Sequence, residues 1–164
     1  MSALAERMDG AELRLRWVVR GALDGLRLPP PGPVRRGDRL WEHTCAEAFV
    51  RADGEPSYVE LNFAPSCEWA AYAFTAYRDG APLAWSGAAP RVDVRRERET
   101  LAFDVRVALR DLSSAFHGAD LRVALSVITE DVEGRRAFFA LRHPAAEPDF
   151  HHADGFTLRL EARP

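Results

Sequence analysis

A chain of 164 residues, 47% hydrophobic and 29% charged, has the length of one domain and the composition of an ordinary folded protein. Its 22 basic and 25 acidic residues leave a net charge of −3, which argues against nucleic acid as a partner, because phosphate-binding surfaces are strongly basic. Every basic residue is Arg, so amine nucleophiles, Schiff bases and a Lys phosphate anchor are excluded.

The N-terminal MSALAERMDGAELRLRW has no apolar segment of signal-peptide length, and no apolar run approaches the roughly 20 residues that span a bilayer. The expected location is therefore the cytoplasm, away from membranes, with Cys45 and Cys67 reduced. Residues 12–20 alternate Leu13, Leu15, Trp17 and Val19 with Arg14, Arg16 and Arg20, the mark of a strand with one buried and one wet face. PPPGPVRRGDR at 29–39 reads as a stiff surface crossover.

Residues 41–78 follow, with both Cys, two of the four Trp and the sole Asn. An extended strand over 41–49 places Trp41, His43, Cys45, Glu47 and Phe49 on one face. An indole that stacks on a pyranose and a carboxylate that accepts two hydroxyls are what holding a neutral sugar requires. The same pattern also suits a core Trp and a Glu paired with one of the many Arg. In 57–64, Tyr58, Glu60 and Asn62 share one face and Val59, Leu61 and Phe63 the other, so the first face is either solvated or the floor of a polar site. Trp69, Tyr72, Phe74 and Tyr77 form an aromatic strand read as mostly core.

Alternation returns at 101–107 and 121–129, a short helical turn fits 108–115, and Phe156, Leu158 and Leu160 alternate with Thr157, Arg159 and Glu161 at the end. Asp53-Gly54, Asp79-Gly80, Ser86-Gly87 and Glu133-Gly134 read as turns. Short strands at this spacing predict an all-β fold: a single-domain antiparallel β-sandwich over 1–164, jelly-roll-like, of roughly ten strands.

LRHPAAEPDFHH at 141–152 gathers His143, Asp149 and His151, side chains that suit a divalent metal, although the spacing matches no standard metal motif and an ordered Pro-rich loop explains them as well. No cofactor is expected: haem lacks a CxxCH attachment sequence, and Met1 and Met8 lie at the terminus. The chain has no GxSxG, Gly-rich phosphate loop or Walker pattern, and Glu47 with Glu60 would serve glycoside hydrolysis only at the right separation.

Three blocks, LWEHTCAEAF at 40–49, ELNFAPSCEWAAYAFTAYR at 60–78 and LRHPAAEPDFHH at 141–152, resemble a DOMON-like domain related to family-nine carbohydrate-binding modules. They are similar in particular to a bacterial subgroup associated with UDP-N-acetylmuramate dehydrogenase. The resemblance implies a β-sandwich that binds rather than catalyses. In the sugar-binding modules an aromatic at the start of this strand and an acid six positions later contact the sugar, positions that match Trp41 and Glu47. Those modules commonly hold the ring between two Trp. Here Ala137-Phe138-Phe139-Ala140 stands where related chains of the subgroup tend to carry a Trp, so either Phe138 or Phe139 forms the second wall or that wall is missing.

The expectation is a non-catalytic module in which Trp41, Glu47, Asn62, His43 and Tyr58 present a sheet face to a carbohydrate or other small polar ligand, such as an amino sugar or cell-wall precursor. One alternative is a protein-interaction or scaffold domain without a small-molecule ligand, with Trp41 fully buried and Glu47 paired with Arg. The other is a metal-assisted enzyme using His143, Asp149 and His151.

Overall fold

The computed structural model describes residues 1–9 and 11–162. Along β2 (Glu12–Arg20) the alternation buries Leu13, Leu15, Trp17 and Val19. β2 lies between β1 (Ser2–Met8) and β9 (Thr100–Ala108), and β8 (Arg91–Glu97) completes a four-stranded antiparallel sheet in the order β1-β2-β9-β8. Leu101, Phe103, Val105 and Val107 of β9 turn to the same side, and charged residues such as Arg14, Arg16 and Asp104 occupy the other.

The facing sheet is built on β4 (Cys45–Ala52), β5 (Tyr58–Phe63), β6 (Glu68–Ala76), β10 (Leu121–Glu130) and β11 (Arg136–Ala140), ordered β11-β10-β4-β5-β6. Three short strands extend it. β3 (Arg35–Arg36) runs parallel to β6, β7 (Asp79–Pro82) pairs with β6, and β12 (Leu158–Leu160) pairs with β10. Ala46, Ala48 and Val50 of β4, Leu61 and Phe63 of β5 and Leu121, Val123 and Leu125 of β10 meet the first sheet in one core. Trp17 lies at its centre, 5.9 Å from the ring of Phe63 and 6.5 Å from that of Phe103. Each fully buried side chain of this kind contributes about 1.5–3 kcal/mol. The fold is thus the all-β sandwich expected, with twelve strands among the described residues rather than about ten; β3 and β12 are only two and three residues long. The short helix α1 (Leu109–Leu112) falls within the predicted turn.

A strand in a two-sheet sandwich should have one wet face, yet every residue of β5 is buried. A second apolar cluster of Phe49, Tyr58, Ala124 and Phe156, backed by Phe74 and Phe150, covers the outer face of the larger sheet. Phe156 belongs to that cluster while Leu158 and Leu160 pack on the main core, so the alternation expected at 156–160 begins only with β12. Trp69 enters the core as expected, but Tyr72 and Phe74 face outward and Tyr77 is exposed.

The strand expected at 41–49 begins only at Cys45. Arg39 is left-handed (φ 53°), and Leu40–Glu42 form a 3-10 turn. Tyr72 holds this reversal by donating its hydroxyl to Asp38 Oδ1 (2.6 Å) and accepting the Arg39 amide (3.1 Å). Asp79-Gly80, expected as a turn, lies within β7; Gly80 is needed there because a Cβ would collide with the Phe74 ring.

Candidate ligand-binding cavity

The outer face of the larger sheet floors a cavity of about 640 Å³, within the range of small-molecule sites. Strand register sets the floor in rows. Ser126, Glu47 and Asn62 lie side by side across β10, β4 and β5, and Ala140 and Ala70 continue the row at either end. The next row carries Ala124, Phe49, Glu60 and Tyr72. Glu47 and Glu60 are thus diagonal neighbours across β4 and β5, a placement that typically separates backbones by about 7–8 Å.

Both carboxylates are buried, at 2% and 5% exposure, and both line the cavity. Ser126 Oγ donates to Glu47 Oε2 (3.0 Å), and Asn62 Nδ2 donates to Glu60 Oε1 (2.7 Å). No Arg pairs with either among the described residues. Burial, and then the charge of Glu60, push the Glu47 carboxyl well above the usual range. Burial likewise raises Glu60, against the pull of the Asn62 hydrogen bond and of Arg78.

His151 stands over Glu60, with Nε2 3.8 Å from Glu60 Oε2. Tyr58 Oη accepts the Arg78 amide (3.1 Å) and lies 2.9 Å from His151 Nδ1. Burial, and then Arg78, push His151 down to about 4.

The walls are aromatic. Trp41, half-buried, meets Tyr72 edge-on with centroids 5.0 Å apart. Phe138 and Phe150, 6.2 Å apart, stand in the wall contributed by β11 and the 141–152 segment, and Phe49 and Phe74 complete the lining. At the rim Arg39 is paired with Glu42 and Arg78 with Asp149 (3.0 Å), while the Arg136 guanidinium lies over the Phe138 ring at 5.6 Å.

The structure therefore brings Trp41 to the wall and Glu47 to the floor. Asn62 and Tyr58 lie beneath the lining and contact it through Glu60 and His151. His43 is elsewhere. Its Nδ1 pairs with Glu130 Oε2 at 2.7 Å, and it lines a separate cavity of about 610 Å³ between residues 27–29, 38–44 and 64–68. The late start of β4 is the reason, since the shared face expected for His43 and Glu47 needs an unbroken strand. Of the candidate metal ligands, Asp149 accepts from Tyr77 (2.8 Å) and Arg78, His151 faces Tyr58, and His143 packs 6.2 Å from the Phe150 ring. Among the described residues no three His, Cys, Asp or Glu side chains gather as a metal site. Of the two aromatics considered for the second wall, Phe138 lines the cavity and Phe139 is exposed. The placement of Tyr72, Phe150 and Arg78 around the cavity was not foreseen; the outward period of β6 from Ala70 to Phe74 is the signal for Tyr72.

No protein-family model matches the chain, and no curated protein matches it. Among solved structures it is similar to a proposed carbohydrate-binding protein from Bacteroides uniformis, with 16% identity, a TM-score of 0.65, and coverage of 92% of this chain and 73% of that one. It is also similar to a family 9 carbohydrate-binding module from Caldicellulosiruptor kristjanssonii in complex with cellotriose. That match has 12% identity, a TM-score of 0.57, and coverage of 100% of this chain and 78% of that one. At these identities the likeness concerns the fold.

Proposed function

We propose that this protein is a non-catalytic, DOMON-like module of the cytoplasm that binds a small carbohydrate in the cavity above Glu47. The observation that carries the reading is the pairing of a half-buried Trp41 on the wall with two buried acids on the floor, neither bonded to Arg. A pyranose offers an apolar face for the indole and hydroxyls for the acids, and the cavity is large enough for one or two rings. A domain that had lost its ligand would be expected to bury Trp41 fully and pair Glu47 with Arg, and neither is the case. The sandwich likeness to a module complexed with cellotriose supports the same reading.

The test is a tryptophan-fluorescence titration with mono- and disaccharides. Trp41→Ala should weaken binding by about tenfold or more, a typical cost of losing a central aromatic anchor, and leave thermal stability nearly unchanged. Equal affinities in wild type, Trp41→Ala and Glu47→Gln would sink the proposal.

A further inference from the structure

We propose that the cavity selects sugars bearing a free, protonated amine, with the ammonium seated against Glu47 and Glu60; this rests on the carbohydrate reading above. In this Arg-rich chain other shielded carboxylates take a guanidinium. Asp104 takes Arg14 and Arg16, Asp149 takes Arg78, and Glu130 takes Arg27. Glu47 and Glu60 are the exception at the floor of a cavity. Glu47 has Ser126 as its one hydrogen-bond partner among the described residues, which leaves its Oε1 without a donor. Glu60 has Asn62 and the ring edge of His151.

The groups facing the pair do not supply the missing charge. Cys45 and Tyr72 are uncharged, and burial raises both above their ordinary values. His151 is neutral near pH 7, Asp38 is acidic, Arg39 and Arg78 are engaged by Glu42 and Asp149, and Arg136 rests on Phe138. Buried acids without a cation are costly, and an arriving cation recovers that cost. An ammonium is compact, brings three donors and favours aromatic walls such as Trp41 and Phe49, whereas a hydroxyl or acetamide brings no charge. On binding, both carboxyls ionise, and the proton that burial had retained on the pair passes to solvent.

Isothermal titration calorimetry near neutral pH with glucose, galactose and mannose, and with their amino and acetamido counterparts, tests this. At least one amino sugar should bind about ten- to a hundredfold tighter than both of its uncharged counterparts, the range expected of a charge-assisted bond. In Glu47→Gln and Glu60→Gln that advantage should fall to about threefold or less, with uncharged sugars still bound. The two variants serve as checks on each other if one folds poorly. Equal affinities for charged and uncharged sugars would overturn this inference and leave the carbohydrate reading standing, as would an amine advantage that survives both substitutions. Silence towards every sugar would overturn both.

Discussion

Burial makes ionisation of Glu47 and Glu60 costly, and the pH dependence of stability should report it. Burial, and for Glu47 also the charge of Glu60, raises their folded values to about 8 and about 7, against about 4.3 in an unfolded chain. A raised acid favours the folded state fully below its unfolded value and loses that contribution as pH climbs to its folded value. His151 has the opposite sense. Its folded value, pushed down to about 4 chiefly by burial, makes the folded state lose ground as pH falls below about 6.5. Between about pH 4.3 and 6.5 the histidine offsets part of the slope of the acids, and above that range nothing does. The melting temperature should therefore decline most steeply between about pH 6.5 and 8. Glu47→Gln should flatten that decline and melt at least about 3 °C above wild type near pH 8, given roughly 2–4 °C per kcal/mol for a chain of this size. A scan by differential calorimetry across that range decides it; parallel curves would mean that Glu47 is already paired. The shared face of Glu47 with Phe49, and of Glu60 with Asn62, was legible in the sequence, because period two fixes it once a strand exists. The lack of a charged partner was not, since 22 Arg left every acid a candidate for pairing.

The elements around the cavity divide into those that alternation reveals and those that tertiary bonds place. β2 and β9 follow their hydrophobic period almost to the residue, whereas β10 is buried on both faces from Val123 onward. The 38–42 reversal does not, because Tyr72, thirty or more residues away, closes it through Asp38 and Arg39. Trp41 consequently reaches the cavity from a turn, and His43 points to Glu130 instead. The 141–152 segment is similar. Its His and Asp residues suggested a metal, but its bonds to Tyr77, Arg78 and Tyr58 make it a wall that brings Pro148, Phe150 and His151 over the strands. Asp149 is the tether, accepting from Tyr77, Arg78 and the His151 amide. Asp149→Ala should thus loosen the wall without opening the core. Stability should fall by about 1.5–3 kcal/mol, the cost of losing hydrogen bonds to a partly shielded carboxylate. Dissociation of a bound sugar, followed by stopped-flow fluorescence, should accelerate by about tenfold, because a mobile wall must be ordered again at each binding event. An unchanged dissociation rate would show that the segment does not retain the ligand.

At the scale of the whole molecule, β4, β5 and β10 serve two environments from opposite faces. Ala46, Ala48, Val50, Leu61 and Leu125 join the core between the sheets, while Glu47, Phe49, Glu60 and Ser126 face the cavity side. The division separates stability from binding. The core is close-packed against the four-stranded sheet, which contributes no residue to the cavity lining. Leu15, fully buried on β2, lies in that distant sheet. Leu15→Ala should cost about 2–5 kcal/mol through lost burial and the cavity left behind. Because the two sites share no partner, the loss should not reach the floor rows, and the dissociation constant of the folded fraction should stay within about twofold. Glu47→Gln should do the reverse, stabilising the fold above neutral pH while altering ligand preference. Measured together, urea unfolding and sugar titration of the two single variants and their double should give additive changes in both quantities. A coupling well above about 0.5 kcal/mol would mean that strain crosses the larger sheet, and that the packing between the sheets helps to set the spacing of Glu47 and Glu60.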